Sequence, residues 1–261
     1  MVNWAVKKSY DCQDLMDLVR ILRHPGGCPW DQEQTHQSIR RNFLEEVYEA
    51  AEAIDSDDVD GLKEELGDVL LQVFFHASIE EDAGRFNLDD VADGVCKKLI
   101  YRHPHVFGEV NVRSTQEVLS NWEELKKKEK HQDTQADAVD AVARTLPALW
   151  RAEKMKKKAA KAGFDWRDVS GALDKLSEEL EELKAAALNG EGDRLEELGD
   201  LLFAAVCVGR FLDADPEQAL HAACDKFSAR FRRLEALAAE RGLKLDELSD
   251  QEQIALWREV H

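Results

Sequence analysis

Carboxylates in two matched strings are the residues of this chain best able to do chemistry. The first string is Glu45-Glu46-Val47-Tyr48-Glu49, followed by Glu64-Glu65-Leu66-Gly67-Asp68. The second is Glu178-Glu179-Leu180-Glu181-Glu182, followed by Glu196-Glu197-Leu198-Gly199-Asp200. Both have the form E-E-x-x-E then E-x-x-D, and the pentapeptide E-E-L-G-D recurs after 132 residues. Positions i and i+3 share a helical face, so each half-string aims two carboxylates one way. If the two helices of a copy pair antiparallel, four carboxylates converge. Two such charges 4 Å apart repel by about 4 kcal/mol at an effective dielectric near 20. A hard divalent cation offsets that cost, and oxygen-only ligation suits magnesium.

Cations follow each string. Lys98 and Arg102 form a K-x-x-x-R pair in the first half, and Lys226 and Arg230 form one in the second. A metal plus two cations is what a polyphosphate requires: charge neutralisation and bidentate hydrogen bonding from arginine. Trp30-Asp31 precedes the first string and Asp165-Trp166 the second. Gly67 and Gly199 sit at helical positions, where glycine costs about 1 kcal/mol against alanine. Their presence predicts a close approach there.

Other chemistries fit less well. Di-iron bundles require E-x-x-H, and the i+3 partners here are Glu and Asp. An EF-hand starting at Asp55 fails, with Val59 fifth and Asp60 sixth. Zinc-type Cys/His spacing and a phosphate-binding G-x-x-x-x-G-K-[ST] loop are absent from the sequence. His103-Pro104-His105 reads as a helix stop and a turn, and His76 as a core residue. Trp122 and Trp150 read as packing residues; Trp30, Trp166 and Trp257 can stack on a base, though core roles are favoured.

The elements that position these groups read as helices almost throughout. Apolar residues recur at three- and four-residue spacing, without strand-like alternation. Helices are expected at about 11–23, 37–54, 58–81, 88–102, 114–131, 145–162, 170–188, 192–212, 216–241 and 250–260. Asp165 and Ser170 lie near one helix start, and Ser249 is placed to cap the last. Asp55-Ser56-Asp57-Asp58 and Asn189-Gly190-Glu191-Gly192 read as turns. Each acidic string therefore falls on a helical hairpin. The repeat period favours two domains, 1–131 and 141–261, joined by a linker at 132–140.

The net charge of −19 argues against nucleic-acid binding, which rests on phosphate neutralisation. The absence of a long apolar run argues against a membrane span. Met1-Val2-Asn3-Trp4 does not begin a signal peptide. Five dispersed cysteines read as reduced thiols of a cytoplasmic protein, three of them in core surroundings.

In this ordered set the chain resembles the MazG-type nucleoside triphosphate pyrophosphohydrolases, in their two-domain form. The resemblance is carried by Cys28-Pro29-Trp30-Asp31, both acidic strings, Arg102-His103-Pro104-His105-Val106-Phe107, Ala162-Gly163-Phe164-Asp165-Trp166 and Lys226-Phe227-x-x-Arg230-Phe231. It implies an all-α fold of tandem MazG-like helical-bundle domains and a likeness to enzymes that convert NTP and water to NMP and pyrophosphate. In the family, magnesium activates the water that attacks the α-phosphorus. The metal ligands implied are Glu179, Glu182, Glu197 and Asp200, and in the first half Glu46, Glu49, Glu65 and Asp68. Glu178 and Glu45 carry over as general-base candidates. Nucleotide contacts carry over to Lys175, Arg194, Lys226, Arg230 and Trp257, and to Lys98 and Arg102. The resemblance also implies a homodimer. Alternatives are a dNTP- or dUTP-restricted pyrophosphatase and a non-catalytic nucleotide- or protein-binding module of the same fold.

Overall fold

The computed structural model describes residues 4–129 and 134–260, with the side chains of Glu123, Lys127 and Lys128 left aside. Helices account for all the regular structure among the described residues. The chain divides into two compact units, Met1–Leu125 and Lys126–His261.

In the first unit α1 (Cys12–Arg23) and the short α2 (Pro29–Glu33) lead into α3 (His36–Asp55) and α4 (Val59–Asp82), then α5 (Leu88–Arg102), α6 (Pro104–Phe107) and α7 (Thr115–Glu129), whose last turn lies past the boundary at Leu125. Capping explains where these helices begin. Asp11 with Asp14, Thr35 with Ser38 and Asn87 with Asp90 form reciprocal capping boxes. Asp58 caps α4 by accepting from the Gly61 amide, and a Cβ on Gly61 would lie 2.6 Å from that carboxylate. Asp57 adopts the left-handed conformation that turns the chain between α3 and α4. The two helices then pack along each other, and α1 packs on α4. Met16, Val19, Ile39, Phe74 and Phe75 form the buried core between them.

The second unit repeats this hairpin. It contains α8 (Gln135–Asp140), α9 (Ala148–Lys161), α10 (Val169–Lys184), α11 (Arg194–Phe211), α12 (Pro216–Glu240) and α13 (Asp250–Glu259). Asp193 caps α11 as Asp58 caps α4. A π-helical turn, Ala185–Asn189, ends α10, and Gly190 closes it in the left-handed region. α10 packs along α11, and α9 packs on α11. A separate apolar cluster of Leu234, Leu256 and Val260 joins α12 to α13.

Several expectations change. Gln135–Asp140, inside the expected linker, is helical and packs on α9, because Thr134 and Asp137 form a capping box; residues 132 and 133 of that linker lie outside the described residues. Residues 130 and 131, the expected end of α7, also lie outside them. Asp165 and Ser170 do lie near the start of α10, and Asp168 between them is its cap; Ser249 does cap α13. Pro104 opens α6 rather than a turn. Of the five cysteines, all free, only Cys207 is buried. Helical periodicity put others on apolar stripes, yet Cys12, Cys96 and Cys224 are exposed and Cys28 is half-buried.

Candidate active site

Both acidic strings lie on helices that pack antiparallel, and their carboxylates converge. In the first unit, oxygens of Glu46, Glu49 and Glu65 all lie within 4.8 Å of one another. Partial burial pushes the Glu46 carboxyl above its ordinary pKa, and the charges of Asp68, Glu49, Glu65 and Glu45 add to the shift. Glu65 is raised in the same way, first by burial and then by Glu49, Asp68 and Glu64. Asp68 thus adds its field to the group formed by the other three.

In the second unit the converging oxygens belong to Glu179, Glu197 and Asp200. Glu182 joins them through a hydrogen bond with Glu179, which is the first cause of its raised pKa, followed by burial and the Glu179 charge. Glu179 is buried. Here the chain supplies a cation of its own. Lys175 Nζ lies 2.5 Å from Glu178 and 2.7 Å from Glu179, and the bond to Glu178 leads in raising the lysine pKa. Asn42 stands three residues before Glu45, the place that Lys175 occupies before Glu178. In the first unit Arg41 instead pairs with Glu45 at 2.8 Å.

The trailing cations behave differently from the carboxylates. Arg102 is buried, with its guanidinium 6.0 Å from the Trp122 ring centroid. Lys98 is half-buried. Arg230 donates to the Val260 carbonyl at 2.5 Å and to the Trp257 carbonyl, and stacks 4.1 Å over the Trp257 ring. Its hydrogen bonds therefore anchor α13 rather than reach a carboxylate of the set. Lys226 is exposed. Arg194 Nε donates to the Ala186 carbonyl at 3.1 Å and ties down the turn between α10 and α11. Trp150 packs with its indole N–H on Asp215, Trp166 lies under the Lys156 ammonium, and Trp30 is exposed.

The glycine expectation is corrected. A Cβ on Gly67 or Gly199 would meet no atom within 4 Å. Both are exposed, so among the described residues no group requires glycine there.

Two features escaped the sequence reading. One is a buried cation that clamps the open end of each hairpin. Arg23 donates to the Asp31 carbonyl at 3.1 Å and pairs with Asp82 at the end of α4. Lys156 donates to the Phe164 carbonyl at 3.1 Å, while Asp165 beside it pairs with Arg210 on α11. The only sequence signal is a cation seven to nine residues ahead of the Trp-Asp or Asp-Trp pair. The other is a polar chain on α3 and α4, in which Arg85 and His36 both bond Glu80 and His36 bonds His76. His76 is half-buried in that chain rather than a core residue.

Comparison with known proteins agrees with this arrangement. Residues 34–107, from just before α3 through α6, match the MazG nucleotide pyrophosphohydrolase domain. A nucleoside triphosphate pyrophosphohydrolase of Escherichia coli K12 is 41% identical over 250 residues, covering 94% of this chain and 95% of that protein. The chain belongs to the MazG family. A second MazG relative, the Thermotoga maritima nucleoside triphosphate pyrophosphohydrolase/pyrophosphatase, is 42% identical over 248 residues, covering 95% and 94%. YabN of Bacillus subtilis is 48% identical over 245 residues, which cover 93% of this chain and 50% of YabN. The matched MazG domain contains the whole first carboxylate set, and the full-length MazG relatives extend the likeness across the second hairpin.

Proposed function

We propose that this MazG protein is a magnesium-dependent nucleoside triphosphate pyrophosphohydrolase that releases NMP and pyrophosphate. The observation that carries this reading is the pair of convergent carboxylate sets on matched hairpins. Their chemistry fits a hard divalent cation. All donors are carboxylate oxygens; burial and then the neighbouring carboxylates push Glu46 and Glu65 towards protonation, and the hydrogen bond with Glu179 leads in doing so for Glu182.

Glu179, Glu182, Glu197 and Asp200 would hold the ion in the second unit, and Glu46, Glu49, Glu65 and Asp68 in the first. When bound, magnesium would supply charge neutralisation for the polyphosphate and activation of the attacking water. Glu178 would accept the proton of a water that attacks the α-phosphorus; the Lys175–Glu178 ion pair, which holds that carboxylate one residue from Glu179, supports the reading. Glu45 takes that role in the first unit, held by Arg41. Lys175 and Lys226 are the cations assigned to phosphate oxygens. Arg230 and Trp257 form a stacked pair suited to the base side of the nucleotide. Lys98, Arg102 and Arg194 remain assigned to nucleotide contact, Arg194 beside the turn that it ties down.

A homodimer and a cytoplasmic setting complete the reading. Exposed apolar side chains flank both acidic sets, among them Val47, Tyr48, Leu66, Leu195 and Leu202, and a second copy would cover them. Among the described residues no helix is long and apolar enough to cross a membrane.

A product-resolved assay on a panel of NTPs tests the function. NMP and pyrophosphate are expected, with turnover lost in EDTA and restored by magnesium. Formation of NDP and phosphate, or no turnover by homogeneous protein, would overturn it.

A further inference from the structure

A cavity of about 490 Å³ opens on the first unit, lined by His36, Arg40, Phe43, His76, Phe86 and Val91 among others. Its walls are mostly apolar and aromatic, with a few polar groups, as in sites for flat heteroaromatic ligands. It lies along the same hairpin as the first carboxylate set. Phe43 precedes Glu46 by three residues on α3, about 5 Å of helical rise. Glu65 and His76 are eleven residues apart on α4, three turns, and so fall on one stripe.

The polar chain beneath the cavity sets the hydrogen-bonding character of its wall. Arg85 Nη2 donates to Glu80 at 2.7 Å, and His36 Nε2 bonds the same carboxylate. An ionised carboxylate only accepts, so His36 carries its proton on Nε2. His36 Nδ1 lies 2.7 Å from His76 Nδ1. With one proton on each ring, His36 Nδ1 accepts and His76 Nδ1 donates. His76 Nε2 then keeps a lone pair, with no partner among the described residues. The Phe43 ring stands 5.6 Å from the His76 ring and offers an apolar face beside that acceptor. Arg40 is exposed at the mouth and makes no ion pair among the described residues. In a chain of net charge −19, an unpaired arginine beside an aromatic cavity favours an anionic ligand with a flat ring.

We propose that this cavity seats a nucleobase bearing an exocyclic amine, which donates to His76 Nε2 while its phosphates extend towards Glu46, Glu49, Glu65 and Asp68. The proposal rests on the pyrophosphohydrolase reading and deepens it: the first unit is a nucleotide site with its own base preference.

Free nucleosides test the cavity apart from the metal and the phosphates. Full-length protein in EDTA is titrated with adenosine and cytidine, each against its analogue lacking the amine, purine riboside or zebularine. Histidine side-chain NMR provides the readout. Free protein should show His76 protonated on Nδ1, and adenosine or cytidine should shift the His76 Nε2 resonance saturably. The amine should improve affinity about fivefold, as one net hydrogen bond implies. Val91→Trp at the mouth, and separately His76→Phe, should abolish the response, while Glu65→Gln should retain it. No saturable shift with either nucleoside, equal binding of the amine-free analogues, or an unchanged response in Val91→Trp would each overturn the proposal. The NTP product assay stands apart. Pyrophosphate release without nucleoside shifts removes only the cavity assignment, and nucleoside shifts without pyrophosphate release remove only the hydrolase reading.

Discussion

Lys175 Nζ lies 2.7 Å from Glu179, the buried carboxylate of the second acidic set, while Asn42 holds the corresponding place in the first unit. The two sets therefore differ in how each relieves its own repulsion. Lys175→Met should make the second set behave like the first. Metal-free protein should lose several degrees in Tm, and magnesium should restore most of that loss. Thermal melts with and without magnesium check this; a loss that magnesium leaves intact would show that Lys175 acts only as a local packing group.

Removing a like charge should have the opposite effect without metal. Glu65 is raised by burial and by Glu49 and Asp68, so Glu65→Gln should raise the Tm of metal-free protein. The same change should remove the part of the magnesium-induced Tm gain that comes from the first unit. For one site at a hundredfold excess over Kd, that gain is about 2.7 kcal/mol. Calorimetric titration with manganese should show one fewer strong site.

Turnover should depend on the second set. Glu197→Gln is expected to lower kcat/KM by about 100-fold or more, since a neutral amide removes ligand charge. If only Glu65→Gln abolishes turnover, the first unit is the working site instead.

Acid stability should depend on Glu80. Its side-chain hydrogen bonds with Arg85 and then His36 hold the carboxyl down to about 2, against an ordinary 4.5. A depressed folded-state pKa contributes stability above 4.5 that is lost as pH falls to about 2. The raised groups, Glu46, Glu65 and Glu182, act in the other direction. They cost metal-free protein stability as pH rises above 4.5. Glu80→Gln should therefore flatten the loss below pH 4.5 and leave the slope above it unchanged, as read from urea melts across pH.

The clamps at the open ends of the hairpins should act on stability. Lys156→Met removes a buried donor to the Phe164 carbonyl and the ammonium 4.1 Å from the Trp166 ring centroid. The cost should be about 2 kcal/mol, or roughly 4–8 °C in Tm at about 2–4 °C per kcal/mol for a chain of this size. Lys156→Arg should recover part of it.

The sequence by itself determined the helices, the hairpins and the carboxylate sets. Helical periodicity, capping residues and i, i+3 spacing are local properties, so Glu46, Glu49, Glu65 and Glu179, Glu197, Asp200 could be placed together from order alone. Short helices such as Pro29–Glu33 and Gln135–Asp140 span too few residues for a period to show. Lys175 meets Glu178 and Glu179 by the same local spacing, three and four residues on. Only the tertiary structure decided where the trailing cations go: Arg230 and Arg102 turn to neighbouring helices and rings, because a long side chain takes whichever partner the packing brings within reach. The same holds for Glu80, His36 and His76. They come from two helices and up to 44 residues apart, and their proton chain exists only once α3 lies against α4.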